Sequence, residues 1–356
     1  MKKEFLTGNE AIVRGALAGG AEIMTGYPIT PTTEIIHYWA ENLAKNRDIK
    51  FLQTEDEMAA GFAMIGAILV GRKAFSATAG PGNVLMQDAF GMAENMRLPT
   101  VAFINQRGGP STGTVIYSQQ ELNLTCFGGN GEGLRIVYSV ANVQEMYDYA
   151  MKAFQTAWHH RFPTFVLSDG YSAKTLVEIE TSSPSEKNIE MYDAKPYLLN
   201  ENKEAGTSVN LRNTYNLEEE LHELLENHFA AFREMTPEVV EFDDYHTLDA
   251  QIVIVAHGIV ASAARQAVDA LRSEGIKVGL FRPITLRPFP QESAYEILKN
   301  KQKILIAESS AGQFANLVKA NLYGITTPIY KLAKPAMGIT VEEIIQKLKE
   351  MLKENK

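Results

Sequence analysis

The stretch FLQTEDEMAAGFAMIGAILVGRKAFSATAGPGN, residues 51–83, contains a strand, an apolar helix, a second strand and a turn in succession. An acidic triplet ending in Glu57 lies between the first strand and an apolar run that has no polar side chain before Arg72. The second strand, residues 73–79, ends in a Gly-Pro-Gly turn, where backbone can approach a ligand closely. The pattern predicts a buried carboxylate beside a flat ligand.

The residues around this stretch continue the alternation of strand and helix. We predict a first helix capped by Asn9 and a fifth capped by Asn142. The predicted strands are residues 21–25, 100–106, 134–140 and 163–169, and the predicted helices are residues 10–18, 34–45, 83–96 and 142–159. Short connections between alternating elements are typical of a parallel α/β domain, in which ligands bind beyond the carboxyl ends of the strands.

Two further loops at predicted strand ends carry polar groups. GYPITPTTE, residues 26–34, offers three threonine hydroxyls that either cap the next helix or bind an anionic group. Arg107, in QRGGPSTG at residues 106–113, directly follows a buried strand and suits bidentate binding of a carboxylate, with a solvated surface arginine as the alternative. GGNGEG, residues 128–133, precedes a strand and lacks a following helix, so we reject a dinucleotide site there.

The second half of the chain divides into a polar linker and a smaller α/β domain. The linker contains an amphipathic helix at residues 217–235, and its HELLE sequence lacks the second histidine of a zinc protease motif. The domain has predicted strands at residues 252–256, 278–281 and 304–307 and a last helix whose capping box is Thr340 with Glu343. We expect RPITLRPFP, residues 282–290, to form a proline-stiffened loop, and we assign no role to His257 or to residues 308–313.

Composition and charge limit the classes of function. With 356 residues, 45% of them hydrophobic, the chain predicts two globular domains, and no apolar run reaches the ~18 residues of a membrane span. The amino terminus lacks the apolar region of a secretory signal, so we expect a cytoplasmic protein. A formal charge of −9 with scattered basic residues disfavours nucleic acid as a partner. The single cysteine, Cys126, excludes an internal disulfide and a cysteine-ligated iron–sulfur cluster within this chain, and we assign no metal ligands.

Four motifs in order resemble the alpha subunit of 2-oxoacid:ferredoxin oxidoreductases. They are YPITP at residues 27–31, EDEMAAGFAMIGA at residues 55–67, TAGPGN at residues 78–83 and QRGGPSTG at residues 106–113. RPITLRPFP and AESSAGQ, residues 307–313, resemble the transketolase carboxyl-terminal-like domain of the same family. The resemblance implies a thiamine diphosphate pyrimidine-binding-type α/β domain at residues 1–173, a linker at 174–248 and a transketolase carboxyl-terminal-like α/β domain at 249–356.

The resemblance also implies roles for individual residues. Glu57 would be the acid that hydrogen-bonds the aminopyrimidine of thiamine diphosphate, and burial favours its protonated form. Thr30 and Arg107 would hold the carboxylate and keto oxygen of a 2-oxoacid, beside the hydroxyls of Ser111 and Thr112. The remaining cofactor contacts implied by the resemblance are Pro28, Ile29, Gly80, Pro81, Gly82 and Asn83.

This chain is expected to work only with partner subunits. It lacks cluster cysteines and the GDG motif with a distant Asn that usually binds Mg²⁺ and the diphosphate, so a beta subunit would supply Mg²⁺, the diphosphate site and the [4Fe-4S] clusters. A gamma subunit, a ferredoxin-like delta subunit in some complexes, ferredoxin and coenzyme A complete the expected partners. The hydroxyls of QRGGPSTG favour oxidation of 2-oxoglutarate to succinyl-CoA, while branched-chain 2-oxoacids, pyruvate, aryl 2-oxoacids and a non-catalytic scaffold role stay open.

Overall fold

The computed structural model describes residues 2–187, 189–192 and 211–353. The strands are β1 Lys2–Thr7, β2 Ile23–Gly26, β3 Lys50–Gln53, β4 Ala74–Thr78, β5 Val101–Gln106, β6 Ile136–Ser139, β7 Thr164–Asp169, β8 Leu176–Thr181, β9 Phe242–Tyr245, β10 Ile252–Val255, β11 Val278–Pro283, β12 Thr285–Arg287, β13 Lys303–Glu308 and β14 Ile329–Ala333. The helices are α1 Gly8–Ala18, α2 Thr33–Leu43, α3 Glu57–Leu69, α4 Pro81–Leu85, α5 Gln87–Asn95, α6 Leu122–Phe127, α7 Val143–His160, α8 Gly170–Lys174, α9 Glu218–Val239, α10 Gly258–Ser273, α11 Gln291–Leu298, α12 Gln313–Asn321 and α13 Val341–Lys353.

The first domain is built on a sheet with the strand order β12-β6-β7-β5-β4-β2-β3. All neighbouring strands in it are parallel except β12, which runs antiparallel to β6. The sheet confirms the predicted α/β class. Because β2, β4 and β5 are neighbours, the loops after them meet at one edge of the sheet.

An aromatic cluster fixes the centre of this sheet. Phe75 on β4 packs edge-to-face against Trp39, Phe103 and Phe154, with ring centroids 5.0 to 6.1 Å apart. All four rings are fully buried. Edge-to-face pairs add about 0.5–1.5 kcal/mol beyond the burial of their area, so this cluster holds β4 and β5 rigidly beneath the loops that follow them.

The second domain has its own five-stranded sheet, ordered β14-β13-β10-β11-β9. The strands are parallel except β9, which lies within the polar segment after residue 174 and pairs antiparallel with β11. From the same segment, β8 pairs with β1 in a two-stranded sheet. The predicted cap at Asn142 is confirmed, since its side chain accepts from the Glu145 N–H, and the predicted capping box is confirmed, since Thr340 and Glu343 bond each other's backbone.

The structure corrects three local predictions. Thr7, not Asn9, caps α1, because Thr7 and Glu10 form a capping box while the buried Asn9 side chain donates to the Pro31 carbonyl. The helix predicted over residues 83–96 is two helices, α4 and α5, that meet at Met86. The RPITLRPFP segment is not only a loop, since its β12 joins the sheet of the first domain.

The two domains meet at a domain seam formed by Tyr117, Gln119, His257 and Ser309. Gln119 donates from its side-chain nitrogen to the His257 carbonyl at 2.9 Å and accepts from the Ser309 N–H at 2.9 Å. The Tyr117 hydroxyl donates to the Ser309 Oγ at 2.7 Å. All four residues are buried. The strand ends of the second domain, to which the sequence assigned no role, therefore dock that domain onto the loop after Arg107.

Candidate functional site

Glu57 is the first residue of α3 and lies at the edge of the parallel sheet. Asp56 caps this helix through the Ala59 N–H, which leaves Glu57 free to turn toward the sheet. Only 6% of Glu57 is exposed. Burial raises the pKa of the Glu57 carboxyl above its ordinary value, and Asp56 raises it further, against the opposing effects of its own backbone N–H and the Arg107 charge. The carboxyl therefore holds a proton more readily than a solvated glutamate.

The turn after β4 closes directly over Glu57. A Cβ on Gly82 would lie 2.6 Å from the Glu57 Cγ and 2.2 Å from the Thr78 Oγ1, so only glycine lets the turn approach this closely. Gly80 has φ +50°, and a Cβ there would lie 2.6 Å from the Arg107 Nε. Thr78 is fully buried, and its hydroxyl has no hydrogen-bond partner among the described residues. The turn thus brings an acid, a hydroxyl and a guanidinium side by side.

Arg107 follows β5 and is aimed into this cradle. It is 6% exposed, and its Nη1 donates to the Thr30 carbonyl at 2.8 Å. Its Nε is buried without a hydrogen-bond partner in the part of the chain that the structure describes. The Arg282 Nε is also unpartnered there, but Arg282 pairs with Glu145, whereas the described residues give the Arg107 guanidinium no carboxylate partner. A buried guanidinium without a carboxylate is costly unless a ligand supplies an acceptor, which favours a site over a solvated surface arginine.

The sequence did not single out Glu121, which organises the cradle from beneath. The Glu121 Oε1 accepts from the Gly80 N–H at 2.8 Å and from the Arg107 N–H at 3.0 Å, and its Oε2 accepts from the Asn83 side chain at 3.0 Å. Glu121 lies in the long loop after β5, where neither spacing nor periodicity distinguishes it from other polar residues. Only the folded geometry identifies it.

The predicted site residues of the loop after β2 and of the QRGGPSTG loop lie at or near the surface. Thr30, Pro28, Ser111 and Thr112 are exposed, and Ile29 is half-buried. Thr30 therefore lies at the surface, while its carbonyl accepts from Arg107. No side-chain hydrogen bond caps α2, because the Thr32 hydroxyl donates to the Ile29 carbonyl instead.

Asn83, predicted among the cofactor contacts, is turned inward. It has no exposed surface, and its side-chain nitrogen donates to Glu121 and to the Thr125 hydroxyl. Its Oδ1 accepts from the Gln87 side chain at 2.9 Å. Gly80 and Pro81 are half-buried and form the open face of the turn. Asn83 supports the turn from within, and its contact with the cofactor stays a prediction.

Among the described residues, His159, His160 and Glu238 form a group whose ligand atoms lie within 4.8 Å of one another. Arg97 and Arg161 line the same cavity. Two positive charges beside the imidazoles oppose the binding of a cation. We therefore keep the sequence-based assignment of no metal ligands as our prediction.

A parallel α/β domain with a buried acid under a Gly-Pro-Gly turn is followed by a smaller α/β domain, and two family models match the sequence in this order. The sequence matches the family described as pyruvate flavodoxin/ferredoxin oxidoreductase, thiamine diphosphate-binding, over residues 14–244. Residues 250–346 match pyruvate:ferredoxin oxidoreductase core domain II. The chain belongs to the family of 2-oxoacid:ferredoxin oxidoreductase alpha subunits, as its motifs predicted.

Curated relatives of two substrate types are equally similar to this chain. A ketoisovalerate oxidoreductase subunit from Methanothermobacter marburgensis is 34% identical and covers 90% of each chain. A 2-oxoglutarate synthase subunit from Methanocaldococcus jannaschii is also 34% identical, over 88% of this chain and 90% of the relative. Sequence identity alone therefore does not indicate which of the two substrate types applies to this chain.

Solved structures support the same fold. The 2-oxoglutarate:ferredoxin oxidoreductase from Magnetococcus marinus, solved with 2-oxoglutarate, coenzyme A and succinyl-CoA bound, has a TM-score of 0.88 at 26% identity. The match covers 98% of this chain and 65% of that one. A split-gene transketolase, solved as an inactive tetramer, matches with a TM-score of 0.60 at 15% identity and 98% coverage of this chain and 99% of that one, which supports the transketolase-like fold alone. No helix among the described residues is long and apolar enough to cross a membrane.

Proposed function

We propose that this chain forms the pyrimidine half of a thiamine diphosphate site and binds a 2-oxoacid beside it, as the alpha subunit of a CoA-acylating 2-oxoacid:ferredoxin oxidoreductase. The observation that carries the proposal is the cradle of Glu57, Gly82 and Arg107. A flat ring with nitrogen donors and acceptors fits the exposed face of a Gly-Pro-Gly turn beside a buried carboxyl. The proposal is supported by the Thr78 hydroxyl and the Arg107 Nε, two buried polar atoms without a hydrogen-bond partner among the described residues.

In this proposal Glu57 is the residue that holds and shares a proton with the cofactor ring. Its raised pKa makes the carboxyl a better hydrogen-bond donor to a ring nitrogen than a solvated glutamate. Pro28, Ile29, Gly80 and Pro81 would bound the ring, with Gly82 keeping the turn close to the acid. Thiamine diphosphate, when bound, supplies the nucleophilic carbon that the side chains of a protein lack.

Arg107 and Thr30 are proposed to bind the anionic end of the substrate. Arg107 is buried and oriented by the Thr30 carbonyl, so its remaining donors are pre-positioned for a carboxylate. The exposed Thr30 hydroxyl at the same sheet edge can donate to the keto oxygen. Together they hold the reacting carbon near the cofactor turn and lower the entropy cost of reaction.

The open side of the cradle is proposed to receive a partner subunit. Apolar side chains on α3, on α4 and on β3 beside them are exposed, with 38 to 57% of each accessible: Leu52, Met58, Phe62, Val84 and Leu85. Exposed apolar patches of this kind mark interaction surfaces. The relatives are subunits of multi-subunit enzymes, and a beta subunit carrying Mg²⁺, the diphosphate site and [4Fe-4S] clusters would complete the site here. We propose gamma and ferredoxin-like delta subunits, ferredoxin and coenzyme A as the further partners.

We propose 2-oxoglutarate as the substrate, with succinyl-CoA as the product. The exposed hydroxyls of Ser111 and Thr112 lie on the loop after Arg107, where they can bind the second carboxylate of a dicarboxylic substrate. We do not assign this role to Arg72, which pairs with Glu22, or to Arg97, which donates to the His160 carbonyl. Branched-chain 2-oxoacids are the second candidate, because the ketoisovalerate relative is as similar as the 2-oxoglutarate one.

The test is a substrate screen on the complex purified with its native partner chains. Coenzyme A-dependent reduction of a viologen dye would be measured under anoxia with 2-oxoglutarate, 2-oxoisovalerate and pyruvate. We expect the highest kcat/KM for 2-oxoglutarate, and a KM for 2-oxoglutarate that rises when Ser111 and Thr112 are replaced by Ala and Val. Highest kcat/KM with 2-oxoisovalerate would support the second candidate. No reduction with any 2-oxoacid would favour a scaffold role and overturn the enzymatic proposal.

A further inference from the structure

The buried carboxylate of Glu121 joins two strand-end loops that carry the proposed site. It accepts hydrogen bonds from the Gly80 N–H in the turn after β4, from the Arg107 N–H after β5 and from the Asn83 side chain in α4. The carboxylate is 5% exposed. A buried backbone N–H without an acceptor is destabilising, and loss of the Glu121 carboxylate would leave several donors unsatisfied at once.

The chemistry of the three donors requires a carboxylate. All three partners donate, and a carboxylate is the side chain that offers acceptors on both of its oxygens. A glutamine at this position must turn its NH₂ either toward the Asn83 NH₂ or toward the two backbone N–H groups. In either orientation a donor faces a donor.

The backbone before Glu121 is anchored by the second domain. Gln119 exchanges hydrogen bonds with the Ser309 backbone in both directions, since its N–H donates to the Ser309 carbonyl at 3.2 Å and its side chain accepts from the Ser309 N–H. The Gln313 side chain donates to the Gln120 carbonyl at 3.0 Å. Hydrogen bonds from the second domain therefore extend to Gln120, one residue before Glu121, and hold the backbone that carries the Glu121 side chain.

We propose that Glu121 is the positioning residue that sets the distance between the cofactor turn and the substrate arginine, with the domain seam as its support. The inference rests on the proposed function only for its kinetic consequence. Glu121 touches neither substrate nor cofactor. It acts by holding the Gly80 and Arg107 backbones, and through them the open face of the turn and the guanidinium.

The first test is hydrogen exchange on the full chain alone, which requires no activity. In Glu121→Gln we expect peptides that cover Gly80 and Arg107 to exchange about tenfold faster or more, because their N–H groups either face the new NH₂ or bond to a side chain that the donor–donor contact with Asn83 displaces. The matched control is Glu94→Gln. Glu94 is also 5% exposed and accepts from a backbone N–H, that of Glu132 at 3.0 Å, and from Arg135 at 3.3 Å, but neither partner lies in the cradle. The control should leave exchange at Gly80 and Arg107 unchanged.

The second test is kinetic and uses the complex with its partner chains. Glu121→Gln is expected to raise the KM for the 2-oxoacid about tenfold and to weaken thiamine diphosphate binding, measured by fluorescence titration, while Glu94→Gln lowers the melting temperature without changing KM. Thermal unfolding of both variants shows whether they lose comparable stability.

The third test is rescue by Asn83→Asp in the Glu121→Gln background. The pair then exchanges donor and acceptor, so the new side-chain nitrogen at position 121 donates to the carboxylate at position 83, while the side-chain oxygen at position 121 accepts from Gly80 and Arg107. We expect the double variant to regain most of the exchange protection that Glu121→Gln loses and to lower KM most of the way to the wild-type value. The effects of the two substitutions are then not additive. Exchange at wild-type rates in Glu121→Gln, a KM no higher than that of Glu94→Gln, or absence of rescue would overturn the inference. If the complex turns over no 2-oxoacid, the proposed function fails while the exchange and rescue results still decide the role of Glu121.

Discussion

Glu57 and Glu308 illustrate how two similar sheets are used differently. Both acids lie at the carboxyl-terminal edge of a parallel sheet beside the start of a helix, and both are buried, at 6% and 1% exposure. Glu308 accepts from the Ser310 hydroxyl and from the N–H groups of Phe314 and Ala315 at 3.0 and 3.1 Å, so it is fully used in holding α12. Glu57 instead faces a glycine turn beside the Thr78 hydroxyl, which has no hydrogen-bond partner among the described residues. Burial of an acid alone does not indicate a site, and the unmatched polar groups around Glu57 are the reason to propose one there.

The largest effect is expected when the two acids are replaced in parallel. Glu57→Gln should lower the turnover of the 2-oxoacid about 10³-fold with the complex still assembled, because the proton on the carboxyl is lost from the cradle. Glu308→Gln should instead lower the melting temperature, with less than a tenfold loss of turnover per folded molecule. Steady-state kinetics and thermal unfolding on both variants decide this. Equal losses of turnover in the two variants would show that the two acids do not differ in role.

The second comparison sets Arg107 against Arg282, two arginines that are each 6% exposed at the end of a strand. Arg282 pairs with Glu145 and donates to the Ser139 carbonyl at 3.1 Å, whereas the described part of the chain gives Arg107 no carboxylate partner for its guanidinium. Arg107→Lys should lower kcat/KM about 100-fold, mainly through KM, because lysine loses the planar fork. Arg282→Lys should reduce stability with KM nearly unchanged. Saturation kinetics on both variants measure this difference. An equal rise of KM in the two variants would contradict the comparison.

A smaller effect is expected at the domain seam. Gln119→Leu removes the side-chain hydrogen bonds to Ser309 and His257 and leaves buried partners unsatisfied. We expect a lower melting temperature and a KM raised about three- to fivefold, since Glu121 loses its support. Gln144→Leu, on the outer face of α7, serves as the control with no change in KM. An unaltered KM in Gln119→Leu would show that the second domain does not influence the cradle.

The smallest expected effect is a pH dependence of stability. Burial raises the pKa of Glu57, so the folded chain favours the protonated form and loses stability as the pH rises from the ordinary value of 4.5 through the raised one. The melting temperature of Glu57→Gln should therefore equal that of the wild type near pH 4 and exceed it at pH 7.5 by on the order of 2 °C. Calorimetry across this range measures the difference. A lower melting temperature for Glu57→Gln at pH 7.5 would contradict the raised pKa.

The parts of the site that follow local chemistry could be predicted from the sequence. Glu57, the glycine turn and Arg107 each adjoin a recognisable strand, and the order of parallel strands brings them together. Glu121 could not be predicted, because its three partners are brought together only by the fold and its own loop has no periodicity. The split of the helix at Met86 and the strand β12 were also missed, since a three-residue strand between prolines carries little pattern.

The strand β12 also has a consequence for biosynthesis. Tyr138 and Val137 on β6 pair with Thr285 and Arg287, so one edge of the catalytic sheet stays unpaired until the ribosome has added about 150 further residues, roughly 7–30 s of synthesis. During that interval the nascent chain exposes a strand edge that other chains can pair with. A message cut before residue 285 would release a first domain with this edge open. Because a strand near the end of the chain completes the first sheet, we expect aggregation during translation when that strand is missing or delayed.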